Sequence, residues 1–203
     1  MKDKNRIGLP KGRIILVVVS ISAILISGIF VSWWKIHRAD MLMREDFLQK
    51  ARLIAQAIDV DCVKNLSGTE ADLALPEYLR LKKDLMALRT AFSECRFLYI
   101  MGRRDDERVF FYVDSEQAGS VDESLPGQIF EEATPEDLSV FEYRTERVVG
   151  PSTDRWGTWV SSLVPLTVSQ EDTTIVFGMD IDAMEWKKAA VGEGPMPYDQ
   201  VQY

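Results

Sequence analysis

Hydrophobic and polar positions divide the chain into stretches of different period, and the first stretch, residues 14–34, contains no charged side chain. At 1.5 Å per residue, a helix of this length spans about 31 Å, which matches the hydrocarbon core of a bilayer. The stretch ends in Trp33 and Trp34, as is typical of the interface between lipid and water. A cleaved signal peptide is the alternative, but its apolar region is shorter, about 7–15 residues, and ends in small side chains. The pattern therefore favours an uncleaved transmembrane helix.

Beyond this stretch the apolar positions follow a helical period. In residues 35–58 they recur every three or four positions, and neither Gly nor Pro interrupts them. This predicts that the transmembrane helix continues outward as a helical stalk. Two uses for its apolar face remain open, namely contact with a second copy in a parallel homodimer or burial against the protein's own sheet. The face is formed by Met43, Phe47, Ala51, Ile54 and Ile58.

The rest of the chain predicts helices and antiparallel strands. A helix is expected to begin at Pro76, a second at Thr134 and a last one around Trp186. Stretches rich in aromatic and β-branched residues, separated by polar turns, predict strands at residues 96–101, 109–114, 144–149, 157–168 and 173–181. Consecutive strands joined by hairpins form an antiparallel sheet with helices at one face or end. The predicted fold class is therefore α+β, with a central antiparallel sheet of about five strands flanked by helices.

These patterns divide the chain into five parts. They are a basic N-terminus (1–13), a transmembrane helix (14–34), a helical stalk (35–58), the α+β domain (59–190) and a coil tail (191–203).

Charged residues are distributed unevenly around the apolar stretch. Residues 1–13 hold five of the 24 cations and one of the 32 acids, so the rest of the chain holds 19 cations and 31 acids. Because basic flanks stay on the cytoplasmic side, we expect a single-pass protein of the inner (cytoplasmic) membrane, with its N-terminus inside and its acidic domain outside. The lipid bilayer is thus a predicted partner. Nucleic acid is excluded as a partner, because its surface requires a basic stripe.

Side chains that carry out catalysis or bind metals are scarce. One histidine and two cysteines leave little material for a metal site or for a nucleophile with its base. His37 has no second ligand near it in the sequence, and the acids do not have the spacing of a calcium loop. We therefore predict no catalytic residue, metal or cofactor in this chain. An anchored enzyme stays open only through a cleft of paired carboxylates.

The two cysteines, Cys62 and Cys95, both fall in the part predicted to lie outside the cytoplasm. In an oxidising compartment such a pair either forms a disulfide or remains as two buried thiols, and the sequence leaves both open. A disulfide would tie the connection between the first two helices of the domain to the start of its first strand.

Several stretches resemble the extracytoplasmic Cache family, whose domains have a PAS-like fold and occur in bacterial transmembrane receptors. The longest is residues 150–161, GPSTDRWGTWVS, in which Gly-Pro precedes an acid, a tryptophan and a strand that ends in serine. Supporting stretches are FLYI at 97–100, YVDS at 112–115 and GMDID at 178–182. The resemblance covers roughly residues 40–190.

This resemblance implies a membrane receptor whose outer domain binds a small molecule, most often the sensor part of a histidine kinase. The sensor part of a diguanylate cyclase or of a chemoreceptor is the alternative within this class. No kinase motif or second apolar span follows residue 182, so the chain is expected to be the front end of a larger receptor or an anchored sensor by itself. Outside this class, an envelope assembly or secretion component with a single anchor has the same outline.

Alternation along the predicted strands selects the candidate ligand contacts. Asp180 lies on the strand face opposite Met179, and a carboxylate there is costly unless it is exposed, paired or bound to a cationic group. Asp180 resembles the late aspartate of an amino-acid-binding Cache subgroup, but the arginine-plus-aromatic signature of that subgroup is absent. Aromatic rings with polar handles suit small solutes, although each can equally be a core residue. The predicted ligand-binding residues, expected around one cavity, are Tyr99, Tyr112, Asp114, Trp156, Trp159, Ser161 and Asp180.

Overall fold

The computed structural model describes residues 11–166 and 174–192, and the chain forms two units, Met1–Met41 and Leu42–Tyr203. Helix α1 (Lys11–Ala57) begins in the first unit. Among the described residues it is the one helix that is long and apolar enough to cross a membrane. Its large apolar side chains from Ile15 to Ile36 are exposed, which is consistent with a surface that lipid would cover.

Four further α-helices lie in the described part of the second unit. They are α2 (Val60–Lys64), α3 (Pro76–Ala91), α4 (Pro135–Tyr143) and α5 (Ala183–Ala190), and a short 3₁₀ helix (Glu70–Ala74) precedes α3. The predicted helix starts at Pro76 and after Thr134 are confirmed, as is a last helix that contains Trp186. Thr134 and Asp137 form a capping box at α4, and Asp182 accepts hydrogen bonds from the first backbone N–H groups of α5.

The sheet has five strands in the order β2-β1-β5-β4-β3, and all neighbours are antiparallel. The strands are β1 (Phe97–Arg103), β2 (Val109–Asp114), β3 (Arg147–Thr153), β4 (Thr158–Leu166) and β5 (Ile175–Asp182). The predicted α+β class with a five-stranded antiparallel sheet is confirmed. The turn predicted between the last two strands and most of the predicted coil tail lie outside the described residues.

One face of the sheet packs against helices, and it decides how the apolar face of α1 is used. Met43, Phe47, Ala51 and Ile54 are at most 3% exposed, and they lie in one core with α3, α5 and the sheet residues Leu98, Ile100 and Phe177. Of the two uses left open, burial against the protein's own sheet is the one observed. The residues from Leu42 onward, which include this part of α1, belong to the unit that contains the sheet. A parallel homodimer stays a prediction, but these buried positions do not form its interface.

The opposite face of the sheet carries a second core that is covered mainly by α4. Val140 and Phe141 of α4 pack with Trp159 and Leu163 of β4. The central strand β1 contributes Phe97, Tyr99 and Met101 to the same cluster, and β2 contributes Phe111. The candidate site lies in this second layer.

Both cysteines are free thiols in this structure, and both are buried in the core on the helix side. Burial raises the pKa of the Cys62 thiol, and it raises that of Cys95 further. A disulfide is not formed here, so the cysteines are two buried thiols, which is one of the two states that the sequence left open.

Candidate ligand-binding site

A cavity opens between the second face of the sheet and the long connection that runs from β2 to α4. The space between its walls is about 380 Å³, including the part that is open to solvent. Five aromatic rings and four carboxyl groups supply most of its wall. The lining residues are Phe97, Tyr99, Met101, Phe111, Asp114, Asp122, Ser124, Phe130, Asp154, Trp156 and Asp180.

The floor of the cavity is formed by Tyr99 and Asp180, on the adjacent strands β1 and β5. The Tyr99 hydroxyl donates a hydrogen bond of 2.9 Å to Oδ1 of Asp180. Gly178 is directly opposite Tyr99 in the strand register, and a Cβ at Gly178 would lie 2.0 Å from the tyrosine ring. The absence of a side chain at this position therefore lets the Tyr99 ring lie across β5 and brings its hydroxyl to Asp180.

Asp180 is 5% exposed and has no cationic partner among the described residues. Burial raises the pKa of this carboxyl to about 7, and the charges of Asp154 and Asp137 act in the same direction. Hydrogen bonds from Ser161 and Tyr99 oppose the increase. A group that changes its charge near neutral pH, inside a cavity, is the kind of residue that binding sites use.

The rim beside Asp180 is built by a turn between β3 and β4. Oδ1 of Asp154 accepts hydrogen bonds from the backbone N–H groups of Trp156 and Gly157, at 2.8 and 3.0 Å, and from Nε1 of Trp159, at 3.0 Å. Asp154 thus both forms the turn and lines the cavity. The turn holds the Trp156 ring against Phe111, with the ring centroids 6.0 Å apart.

The opposite wall rests on a buried ion-pair triad. Lys82 of α3 donates hydrogen bonds to Oδ1 of Asp114, at 2.5 Å, and to Oε1 of Glu123, at 2.8 Å. The three side chains are only 8%, 5% and 7% exposed. Burial would lower the pKa of Lys82, but the two hydrogen-bonded carboxylates outweigh it and raise the pKa instead. Lys82 therefore stays charged and joins α3 to the β2–α4 connection.

Further ion pairs hold this connection over the cavity. Glu116 accepts hydrogen bonds from both Arg89 and Arg96, and Arg96 also donates to Asp122 at 2.6 Å. Ser124 donates its backbone N–H to Oδ2 of Asp114, at 2.6 Å. The cover of the cavity is thus held to α3 and to the start of β1 by charged groups.

The structure brings most of the predicted ligand contacts together. Tyr99, Asp114, Trp156 and Asp180 line the cavity. Ser161 is opposite Asp180 in the register of β4 and β5. Trp159 lies in the same apolar cluster and is held by Asp154, just outside the lining.

Tyr112 lies on the other face of the sheet, so the expectation that it shares this cavity is wrong. The register between β1 and β2 shifts between Ile100 and Met101, so that Ile100 is opposite Val113 while Met101 is opposite Phe111. Because of this bulge, Tyr112 no longer lies on the same face of β2 as Asp114. Its side chain lies on the helix side of the sheet, where its ring packs on that of Phe110 with the ring centroids 4.7 Å apart. Phe111 takes the place in the cavity that was predicted for Tyr112.

Sequence reasoning missed several residues of this site. Phe97 and Met101 each lie two positions from Tyr99 along β1, so their side chains lie on the same face of the strand as Tyr99. Alternation along the strand therefore identifies them as soon as Tyr99 is assigned to the cavity. Phe130, Asp122 and Ser124 come from an irregular segment, for which the sequence contains no periodic signal. Lys82 lies on the same face of α3 as Tyr78 and Leu85, and a cation on that apolar face was the available sign of a buried partner.

Comparisons with known proteins add little to this description. No family model matches the sequence, and the comparison with curated proteins gives no match. Among solved structures, the ligand-binding domain of the Campylobacter jejuni chemoreceptor Tlp3, in complex with L-valine, is similar at 13% identity with a TM-score of 0.43. The similarity covers 86% of this chain and 67% of that chain. At this distance the likeness assigns neither a family nor a ligand to the protein.

Proposed function

We propose that this protein is a membrane-anchored sensor of small molecules, with an extracytoplasmic Cache-type domain that belongs to a signal-transduction receptor. The observation that carries the proposal is the cavity, in which the buried Asp180 carboxyl has no cationic partner among the described residues and faces aromatic walls. Such a carboxyl reduces the stability of the folded protein, and a ligand that neutralises it would account for its presence. The order of the Cache-like stretches and the long apolar helix support the same function.

The proposal places residues 1–13 in the cytoplasm, residues 14–34 across the inner membrane and the sheet outside. The signal would pass to a cytoplasmic output module, for which a histidine kinase is our first choice and a chemoreceptor or a diguanylate cyclase the alternative. A parallel homodimer is the symmetry that such receptors need to pair two output modules.

Ligand binding is tested by thermal unfolding of the full chain in detergent micelles against a library of small solutes. A ligand present at a hundredfold excess over its Kd is expected to raise the Tm by about 5–10 °C, because it binds only the folded state. Ser124→Leu fills the cavity and should abolish the increase, whereas Ser93→Leu, at an exposed position, should leave it unchanged. A shift that survives Ser124→Leu, or no shift with any solute, would contradict the proposed function. Circular dichroism of both variants verifies that they fold.

Topology is tested separately with reporters fused after Tyr203. The excess of cations before the apolar stretch predicts that alkaline phosphatase, which needs an oxidising compartment, is active in this fusion. A fluorescent protein that folds only in the cytoplasm should be dark in the same position. The opposite pattern would place the cavity in the cytoplasm and would rule out an extracytoplasmic sensor.

A further inference from the structure

We infer that the ligand of this cavity is a small primary amine, that is, a compact ammonium group with one short apolar tail and no carboxylate. The inference rests on the proposed function and specifies the class of solute that the site would take. It is carried by the charges and rings of the cavity wall.

The wall is acidic and lacks a lysine, arginine or histidine of its own among the described residues. Two of its four aspartates are neutralised, Asp114 by Lys82 and Asp122 by Arg96. The other two, Asp154 and Asp180, accept hydrogen bonds from neutral donors, namely backbone N–H groups, the Trp159 indole and the hydroxyls of Tyr99 and Ser161. The charge that is missing from this side of the cavity is positive.

The geometry of the hydrogen bonds leaves acceptors for an ammonium group. All three donors that bind Asp154 converge on its Oδ1, so its Oδ2 takes none of them. Asp180 is more than nine-tenths buried and lines the cavity from the sheet. An ammonium group with several N–H donors can bind both carboxylates, and a charged hydrogen bond in a buried site is among the strong ones.

Aromatic rings complete the site. The rings of Tyr99, Phe130 and Trp156 each meet the Phe111 ring at a steep angle, with centroid distances of 5.6, 5.8 and 6.0 Å. Such walls favour an apolar tail, and the face of an aromatic ring also attracts a cation.

A ligand with a carboxylate fits this wall less well. Two arginines beside the cavity wall are already engaged, because Arg155 binds both oxygens of Glu132 at 2.9 Å and Arg96 binds Glu116 and Asp122. Each also lies over a ring of the cavity, Arg155 over Trp156 and Arg96 over Phe97. A metal cation is disfavoured too, because the described residues contain no group of three or more His, Cys, Asp or Glu side chains that could hold one.

The test is calorimetric titration of the full chain in detergent micelles at pH 7.5 with three amines: ethylamine, isoamylamine and 2-phenylethylamine. Each has a neutral counterpart of the same shape (ethanol, isoamyl alcohol, 2-phenylethanol) and a zwitterionic counterpart with an added carboxylate (L-alanine, L-leucine, L-phenylalanine). We expect at least one amine to bind at least tenfold more tightly than both of its counterparts. Asp180→Asn should weaken its binding by about 10- to 100-fold, because the amide oxygen still accepts a hydrogen bond but no longer carries the negative charge that pairs with the ammonium group. Asp106→Asn, in the exposed β1–β2 turn, is the matched control and should change nothing.

The possible outcomes separate the ligand class from the proposed function. Equal or tighter binding of an alcohol or of an amino acid, or full binding of the amine by Asp180→Asn, would overturn the amine assignment and leave a sensor of another solute. Failure of all three amines would also overturn it. If, in addition, no solute in the library produces a thermal shift that Ser124→Leu removes, the sensor function itself fails.

Discussion

Replacing Lys82 with methionine is expected to lower the free energy of unfolding by about 3–5 kcal/mol. Methionine has a similar length, so the packing of α3 is largely kept, but Asp114 and Glu123 are left without their common cation. Both carboxylates are at most 7% exposed in the folded protein. Removal of one partner from a buried ion pair is costly because the remaining charge loses its compensation while it stays out of water. Urea unfolding in detergent micelles, followed by tryptophan fluorescence, measures the change.

The neighbouring residue supplies a control for this experiment. Lys83 is exposed, and Lys83→Met should change the free energy of unfolding by no more than about 0.5 kcal/mol. The triple variant Lys82→Met, Asp114→Asn, Glu123→Gln should recover much of the loss, because its buried groups are neutral and the amide oxygen that replaces the Asp114 carboxylate still accepts the backbone N–H of Ser124. If Lys82→Met proves as mild as Lys83→Met, the triad does not hold the cover of the cavity to α3.

Replacing Asp180 with asparagine is expected to stabilise the protein, by an amount that grows from pH 4 to pH 8. The pKa of Asp180 is raised to about 7 in the folded protein, from an ordinary value of 3.8. Between pH 3.8 and about pH 7, Asp180 is deprotonated in the unfolded chain but still protonated in the folded protein. The free energy of unfolding of the natural protein therefore falls as the pH rises through this range. Each pH unit in this range lowers the free energy of unfolding of the natural protein by about 1.4 kcal/mol, so Asp180→Asn is more stable than the natural protein by about 4 kcal/mol at most.

Four polar groups face Asp180 and influence its pKa. They are Tyr99 on β1, Ser161 on β4, Asp137 on α4 and Asp154 in the β3–β4 turn. Burial also raises the pKa values of Asp114 and Asp137, so the pH profile of the natural protein reports at least three carboxyls, whereas the difference between it and Asp180→Asn reports Asp180. Asp106→Asn should follow the pH profile of the natural protein above pH 5, because Arg108 lowers the pKa of the exposed Asp106. Parallel profiles for Asp180→Asn and the natural protein would show that Asp180 is ionised throughout this range.

These two predictions concern opposite kinds of buried charge in one site. The Lys82 triad is compensated inside the protein, and it holds the cover of the cavity in place. Asp180 has no cationic partner in the described part of the chain, and under the proposed function its partner is the ligand. A site of this kind gains stability when the ligand binds, which is the thermodynamic requirement for a sensor whose state depends on occupancy.

Local patterns in the sequence determined the elements and the fold class of this protein. The uncharged stretch before Lys35 and the helical period after it predicted one long helix, and α1 runs from Lys11 to Ala57. The caps at Thr134 and Asp182 depend only on residues three or fewer positions away, so they could be identified from the chain itself. Strands of the right period, separated by polar turns, were sufficient to predict an antiparallel sheet. The contacts that produce these features lie close together in sequence.

Only the tertiary structure decided which of the predicted residues meet. Met43 and Phe47 had two physically reasonable uses, and burial against the sheet was decided by packing between distant segments. Tyr112 and Phe111 exchanged faces because one bulge shifts the register of β2, and a shift of one residue turns a side chain to the other face. Lys82 and Glu123, 41 positions apart, came together through the fold of an irregular connection. Sequence periodicity records which side chains are apolar, whereas register and loop paths depend on the packing of the whole domain, and those two features built the cavity.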